Sequence, residues 1–164
     1  MNDGKIKWYL IPPAFGRTPT GKTDLIWITP EEHTELVKWW DELNRRRDGI
    51  NILDWSEDDE FAVTVATCNL IIPNRPEDAD LYYRRGVALS NLKQFDKAID
   101  DFNKALSLDP NDARFYASRG AVYLESREFK LALADFDKAL SLNPNDAETY
   151  NYRGMIYEIG RAHV

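Results

Sequence analysis

The sequence has little cysteine, no long hydrophobic run and no excess of basic residues. Cys68 is the single cysteine, which excludes an internal disulfide framework and fits a reducing compartment. No apolar stretch approaches membrane-spanning length, and the first residues hold no apolar signal-peptide core. With 21 basic against 28 acidic residues, the net charge of −7 argues against a nucleic acid or an anionic membrane as the main partner. We therefore expect a soluble cytoplasmic protein without either partner.

Hydrophobic residues are plentiful, at 43% of the 164 residues, and their order repeats. Three copies of one pattern begin at Pro76, Pro110 and Pro144, 34 residues apart. All three copies agree at four positions, which are Ala79, Ala113 and Ala147; Tyr82, Tyr116 and Tyr150; Arg85, Arg119 and Arg153; and Gly86, Gly120 and Gly154. The two complete copies also agree in their second halves, at Phe95 and Phe129, Ala98 and Ala132, Phe102 and Phe136, Ala105 and Ala139, and Leu106 and Leu140.

Each complete copy predicts two helices, which in the first copy span about residues 78–91 and 95–108. The Pro-x-Asp-Ala start interrupts the preceding helix and begins the next, and apolar residues then recur at helical spacing. Gly86 and Ala98 are small, so two helices can approach closely there, with Phe102 filling the space around the contact. One such pair cannot bury its own apolar faces. We therefore predict stacked helix pairs, that is, a solenoid.

This repeat resembles the tetratricopeptide repeat (TPR) family in its period, its Tyr-x-x-Arg-Gly and Ala-x-x-x-Phe-x-x-Ala-Leu segments and its closing proline. The resemblance covers residues 76–158, with repeats at 76–109 and 110–143 and a truncated third at 144–158. It implies a mainly α fold, a TPR helix-turn-helix solenoid of two and a half repeats. A small N-terminal α+β segment precedes it.

The chain departs from the family pattern at the arginine before each glycine, where leucine is more common. Asp101 and Asp135 occupy matching places in the two second helices. We predict that Arg85 pairs with Asp101, and Arg119 with Asp135, across each helix pair. The alternative is that these are solvated charges, because exposed ion pairs are usually weak.

The resemblance implies a protein-interaction module or scaffold that holds a partner peptide or helix on the concave face of the superhelix, which the first helices line. The residues expected to point inward are Tyr83, Val87, Asn91, Ala117, Ala121, Leu124, Asn151 and Met155. Tyr83 and Met155 are the expected anchors, because large or adaptable side chains dominate such contacts. Alternatively, several of these residues only pack between repeats. The oligomeric state is left open.

Some members of the family clamp the terminal carboxylate of a chaperone with lysine, asparagine and arginine. The corresponding positions here are Tyr83, Val87, Ser118, Glu148 and Tyr152. None of them supplies the required cation or amide. We therefore expect a ligand that is uncharged or weakly basic where it is contacted.

Residues 1–55 do not repeat and predict a small α+β segment of unknown family. "KWYLIP" and "DLIWIT" have strand composition, and the capping box of Thr29 and Glu32 opens a helix that runs to about Arg47. Residues 56–75 are expected to form a capping helix and linker that covers the first repeat, although Phe61, Val63 and Val65 also alternate as in a strand. In that helix Cys68 is expected to be a small buried hydrophobe.

The stretch "GRTPTGKT" matches the phosphate-loop pattern G-x-x-x-x-G-K-[ST]. A nucleotide site would use Gly16, Gly21, Lys22, Thr23 and Asp54. However, "DLIWIT" follows where a helix should begin, and only about 50 residues remain before the repeats, too few for a doubly wound nucleotide domain. We therefore favour a strand-connecting loop, no enzymatic activity, and no cofactor or metal. A nucleotide-binding protein, or regulatory repeats of a larger protein, are the alternatives.

The last residues, "IGRAHV" at 159–164, break the repeat. His163 stands where the pattern requires phenylalanine, and the peptide reads back into codons as a common sequencing-adapter sequence. We expect residues 159–164 to be non-native and the true chain to continue past Glu158, so His163 receives no functional role.

Overall fold

The computed structural model describes residues 6–9, 25–46 and 57–162, and the chain divides into two compact units, Met1–Arg75 and Pro76–Val164. The residues of the alternative nucleotide site lie outside the described ranges: Gly16, Gly21, Lys22, Thr23 and Asp54. So does His163.

The N-terminal unit contains two short strands followed by two helices. Strand β1 (Ile6–Tyr9) pairs antiparallel with β2 (Leu25–Ile28), with Ile6 opposite Ile28. Two helices follow, α1 (Pro30–Arg46) and α2 (Glu57–Ile71), and a single 3₁₀ turn over Ile72–Asn74 ends the unit. The α+β composition predicted for this half is therefore confirmed.

Helix α1 begins at the predicted capping box. The backbone N–H of Thr29 donates to Oε2 of Glu32 at 2.9 Å, and the N–H of Glu32 donates to Oγ1 of Thr29 at 3.2 Å. Two N–H groups that the helix leaves free are thereby satisfied. Glu32 is buried, and the guanidinium of Arg75 forms an ion pair with its carboxylate, so the buried charge is compensated.

Residues 57–71 form helix α2, so the strand interpretation of Phe61, Val63 and Val65 is wrong and the helix interpretation is confirmed. Cys68 is fully buried in α2, as expected for a small hydrophobe. That α2 covers the apolar end of the first repeat stays a prediction.

The described part of the second unit consists of two helix pairs and a fifth helix. They are α3 (Ala79–Asn91), α4 (Phe95–Leu108), α5 (Ala113–Glu125), α6 (Phe129–Leu142) and α7 (Ala147–Ala162). Helix α3 packs on α4 and α5 on α6, while α4 contacts α5 and α6 contacts α7. The first helices are also neighbours, α3 with α5 and α5 with α7. The predicted stacking of successive helix pairs is confirmed, and α7 continues past the boundary expected at Glu158.

The helix starts follow from the repeated Pro-x-Asp-Ala. The side chain of Asp78 accepts a hydrogen bond from the N–H of Asp80 at 3.2 Å, and that of Asp112 from the N–H of Arg114 at 2.9 Å. A carboxylate at this position also interacts favourably with the helix dipole. The aspartate of the motif is thus the N-cap of the first helix of each complete pair.

Each helix pair closes on a contact between a glycine and a phenylalanine ring. A Cβ atom built on Gly86 would lie 2.8 Å from Cε1 of Phe102, and one on Gly120 would lie 2.7 Å from Cε1 of Phe136. Both rings are almost fully buried. The predicted close approach at Gly86 is therefore confirmed, and a side chain at either glycine would push the second helix away.

We predict opposite effects of one substitution at three equivalent glycines. Gly86→Ala and Gly120→Ala overfill the contact with the ring and should each lower the free energy of unfolding by about 1–2 kcal/mol. At Gly154 a new Cβ meets nothing within 4 Å among the described residues, so Gly154→Ala should raise it by up to about 1 kcal/mol through helix propensity. Urea unfolding followed by circular dichroism measures all three. Equal effects at the three positions would contradict the contact.

The turn inside each pair holds a side chain in the left-handed region, with φ of 58° at Lys93 and 62° at Arg127. Glycine adopts this conformation without the penalty that a Cβ introduces. We predict that Arg127→Gly raises the free energy of unfolding by about 1 kcal/mol. Lys93→Gly is the matched comparison and should gain slightly less, because Lys93 also forms an exposed ion pair with Glu125 at 2.8 Å. Destabilisation by Arg127→Gly, measured by thermal unfolding, would refute this.

Candidate functional site

The predicted arginine–aspartate pairs are present in both complete repeats. Nε and Nη2 of Arg85 donate to Oδ2 and Oδ1 of Asp101, each at 2.7 Å. The same atoms of Arg119 donate to Asp135 at 2.8 and 2.7 Å. Both pairs are bidentate, and each links the first helix of its repeat to the second. The alternative of two solvated charges is wrong.

These pairs are largely shielded from water. Asp101 and Asp135 are both 6% exposed, so each carboxylate depends on its guanidinium for compensation. Hydrogen bonding to Asp135, opposed by partial burial, raises the pKa of Arg119. Arg119 uses its third nitrogen, Nη1, to donate to Oδ1 of Asn103 in the preceding repeat. The arginine therefore joins its own helix pair and the one before it.

The residues expected to form the binding face lie on the three neighbouring first helices. Tyr83, Val87 and Asn91 follow one another by four residues on α3, so they share one side of that helix. Asn91 is exposed, and its side-chain amide donates to the backbone carbonyl of Val87 at 2.9 Å, so part of its polarity is used within the helix.

Tyr83 is mainly an inter-repeat packing residue. Its ring centroid lies 5.1 Å from that of Phe115 on α5, and Cζ of Arg114 lies 5.1 Å from the Tyr83 ring centroid. The side chain is half-buried as a result. Leu124 behaves similarly and packs against the buried cluster of Ala132, Phe136 and Ile156. For these two residues the alternative of packing between repeats describes their contacts.

The remaining predicted residues are more accessible. Ala117 and Ala121 on α5 are half-buried, Asn151 on α7 is exposed, and Met155 on α7 is 51% exposed. The structure thus places the short side chains of Ala117 and Ala121 on the helix that contacts both α3 and α7. Met155 is the most exposed large apolar side chain of the set.

Arg114 is a residue of this face that the sequence analysis missed. Its guanidinium bonds the N-cap Asp112 at 2.6 Å and lies 3.7 Å from Asp80. Burial favours a higher pKa for Asp112, but the hydrogen bonds from Arg114 and its positive charge hold the pKa of Asp112 below its usual value. The side-chain hydrogen bond to Asp112 and the negative charge of that carboxylate raise the pKa of Arg114, against the opposing effect of burial. The signal was available, because the matching positions carry Asp80, Arg114 and Glu148 in the three copies.

The positions that correspond to a carboxylate clamp are closed to that chemistry. The hydroxyl of Tyr152 donates to Glu148 at 2.8 Å, and this bond, together with burial, raises the pKa of Tyr152. Tyr152 also stacks on Phe136, with ring centroids 5.6 Å apart. A terminal carboxylate at this place would meet the negative charge of Glu148 rather than a cation.

Metal-ligand clusters and membrane-spanning helices are two features that the described ranges do not contain. Among residues 6–9, 25–46 and 57–162, no three histidine, cysteine, aspartate or glutamate side chains gather as metal ligands. No described helix has both the length and the apolar character that crossing a bilayer requires.

We predict that breaking the buried arginine–aspartate pair of the second repeat destabilises the protein. Asp135→Ala leaves Arg119 without its main partner and should lower the free energy of unfolding by about 3 kcal/mol. The double variant Arg119→Leu/Asp135→Leu removes both charges and should recover most of that loss. Asp137→Ala is the matched control, because Asp137 is 59% exposed in its pair with Arg153 and should cost less than about 0.5 kcal/mol. Equal losses for Asp135→Ala and Asp137→Ala, measured by urea unfolding, would contradict the assignment.

The repeats match sequence profiles of a known family. Residues 79–112 and 113–146 each match a tetratricopeptide repeat profile, and residues 136–161 match a second profile of the same family. Together these matches span residues 79–161, half of the chain. The sequence matches no curated protein.

Solved structures with the same fold include three TPR domains. The TPR domain of Arabidopsis OM64 is 26% identical, covers 61% of this chain and 83% of its own, and has a TM-score of 0.59. The first TPR domain of human RPAP3 is 24% identical, covers 65% and 84%, and has a TM-score of 0.61. The first TPR of Spaghetti (RPAP3), bound to the HSP90 peptide SRMEEVD, is 20% identical, covers 79% and 93%, and has a TM-score of 0.61.

The stacked helix pairs, the profile matches and these structures agree with the resemblance seen in the sequence. The chain belongs to the tetratricopeptide repeat family.

Proposed function

We propose that this protein is an interaction module that holds a partner peptide or helix on the face formed by its first helices, α3, α5 and α7. The observation that carries the proposal is the side-by-side arrangement of these helices, with repeat-matched positions left partly open to solvent. The shared surface is continuous because each first helix contacts the next. An extended segment or a helix laid across it touches all three repeats at once.

The side chains in the middle of this face are short, and those at its two edges are longer. Ala117 and Ala121 place only methyl groups on α5, which leaves room for the side chains of a ligand. Met155 on one side and the accessible part of Tyr83 on the other are the proposed anchors. The flexible thioether of Met155 adapts to different apolar partners, and Tyr83 is held in place by Phe115 and Arg114.

The charges of the face favour a neutral or weakly basic ligand. Asp112 and Asp80 compensate the positive charge of Arg114. Lys93 is matched by Glu125. The carboxylate of Glu148 is exposed and accepts a hydrogen bond from the hydroxyl of Tyr152. A ligand that ends in several acidic residues would therefore be repelled, in contrast to the acidic peptide bound by the first TPR of Spaghetti.

The test is a selection of peptides from a display library on the wild-type protein, followed by calorimetry with one selected peptide. We predict that Met155→Ala weakens its binding about tenfold or more. Ser107→Ala is the matched control, because Ser107 is an exposed residue of the second helix α4, and it should leave the affinity unchanged. The peptide SRMEEVD should not bind at millimolar concentration, because the clamp positions carry Glu148 and Tyr152 in place of cations.

Two results would contradict the proposal. One is a selected peptide whose affinity is the same for wild type and Met155→Ala. The other is tight binding of SRMEEVD, which would place a carboxylate where the structure offers negative charge.

A further inference from the structure

The first-helix face contains a groove between α3 and α5. Tyr83 and Val87 lie one turn apart on α3, and Arg114 and Ser118 lie one turn apart on α5. The two rows face each other, because Cζ of Arg114 lies 5.1 Å from the centroid of the Tyr83 ring. This α3–α5 groove lies between the first helices of the two complete repeats, so its walls do not depend on the truncated third repeat.

The aromatic wall of the groove is held in place by the chain itself. The ring centroid of Tyr83 lies 5.1 Å from that of Phe115, which is 2% exposed, and 6.2 Å from that of Phe102. The guanidinium of Arg114 also contacts Phe115, with Cζ 5.6 Å from the ring centroid. Binding therefore does not have to order the Tyr83 ring. Tyr83 and Val87 are both half-buried, so part of each side chain is open to a ligand.

The accessible polar groups of the groove are hydrogen-bond donors that have no acceptor. Arg114 uses Nε and Nη2 for Asp112, which leaves the two N–H groups of Nη1 without a partner in the part of the chain that the structure describes. In the same part of the chain, the hydroxyls of Tyr83 and Ser118 make no hydrogen bond, and neither oxygen is shut off from solvent. Hydroxyls can donate or accept, but a guanidinium only donates. The groove therefore favours a ligand that is rich in acceptors.

The charges around the groove compensate each other. Asp112 is paired with Arg114 at 2.6 Å. Asp80 is paired with Arg84 and also lies 3.7 Å from Arg114. Because two arginines and two aspartates balance, the groove offers neither a free cation for an acidic ligand nor a free carboxylate for a basic one. The ligand that fits it is neutral.

A polyproline II helix meets both requirements better than the other peptide conformations. Its backbone carbonyls make no internal hydrogen bonds, and its prolines carry no N–H group that would need an acceptor. An α-helix uses its carbonyls within itself, and a β-strand presents as many donors as acceptors. A surface that has unpaired donors and an aromatic wall is complementary to the proline-rich conformation.

The spacing of the first helices also matches this conformation. Helices in contact lie about 8–10 Å apart, and one turn of a polyproline II helix, which has three residues, advances about 9 Å. A ligand that crosses α3, α5 and α7 in turn therefore presents the same side to each helix. The same side of a β-strand recurs about every 6.6 Å, which does not match the helix spacing.

We propose that the α3–α5 groove is a subsite for a proline-rich segment in the polyproline II conformation. This inference rests on the proposed function of the first-helix face and narrows its ligand to one class. A proline ring lies against the open parts of Tyr83 and Val87. The backbone carbonyls beside this ring accept hydrogen bonds from the hydroxyls of Tyr83 and Ser118 and from Nη1 of Arg114.

The test uses an uncharged peptide of about nine prolines with blocked ends, which makes about three turns. We expect a dissociation constant on the order of 100 µM by calorimetry, because the preformed helix loses little conformational entropy. A glycine–serine peptide of the same length is neutral but flexible, and it should bind at least about tenfold more weakly. The affinity for the proline peptide should be the same at about 50 mM and 500 mM salt, because no ion pair forms.

Variants of the groove separate its donors from its packing. Tyr83→Phe keeps the ring and loses only the hydroxyl, and it should weaken binding of the proline peptide about fivefold. Ser118→Ala should weaken it about threefold. Arg114→Lys keeps the positive charge but loses the planar guanidinium, and it should weaken binding about tenfold. Tyr116→Phe is the matched control, because the Tyr116 hydroxyl donates to the backbone carbonyl of Pro110 at 3.3 Å, and it should leave the affinity unchanged. Thermal unfolding verifies that each variant is folded.

The same peptides distinguish this inference from the proposed function. Peptides selected from the display library should be enriched in prolines three residues apart. If proline-free peptides are selected and need Met155, while the proline peptide does not bind at millimolar concentration, the inference is wrong and the proposed function stands. Equal affinity of wild type, Tyr83→Phe and Arg114→Lys for the proline peptide would also overturn the inference. If neither the library nor the proline peptide yields binding, both proposals are wrong.

Discussion

The repeat unit depends on the contact between a glycine of one helix and the phenylalanine ring of the next. At 2.8 Å and 2.7 Å from the positions that Cβ atoms would take, the rings of Phe102 and Phe136 leave no room for any side chain. This close approach fixes the distance and rotation of the two helices in each pair. The neighbouring arginine and aspartate can then form a bidentate ion pair. The ion pair therefore follows from the apolar contact, and it reinforces the register of the two helices.

Much of this architecture could be predicted from the sequence because it repeats. A single Arg85 facing Asp101 would have been one of many possible pairs, but the same spacing in two copies made the pairing specific, and both pairs are present. The capping box at Thr29 and the burial of Cys68 were likewise predicted, since both depend on local patterns within one helix. The stacking of helix pairs followed from apolar faces that no single pair can cover.

The candidate site was less predictable, because its properties arise between repeats. The sequence places Tyr83 on the binding face, but it does not show that Phe115 and Arg114 of α5 pack against its ring and cover part of it. Arg114 was missed because its role depends on Asp80, 34 residues earlier in the chain, as well as on its neighbour Asp112. Helical spacing gives the side of a helix on which a residue lies. It does not give how much of that side the neighbouring repeat covers, since this depends on the lengths of side chains from two different copies.

The bridging arginine has a consequence for how the array responds to disturbance. Arg119 is bonded to Asp135 within its own pair and to Asn103 in the pair before it, so displacing one hairpin strains its neighbour. Because of this coupling, an array in which a folded hairpin lies next to an unfolded one loses contacts between the two hairpins. The free-energy cost of such a boundary is then large compared with the stability of a single hairpin. Melting should therefore spread along the array in one concerted event rather than hairpin by hairpin, with fraying confined to the ends.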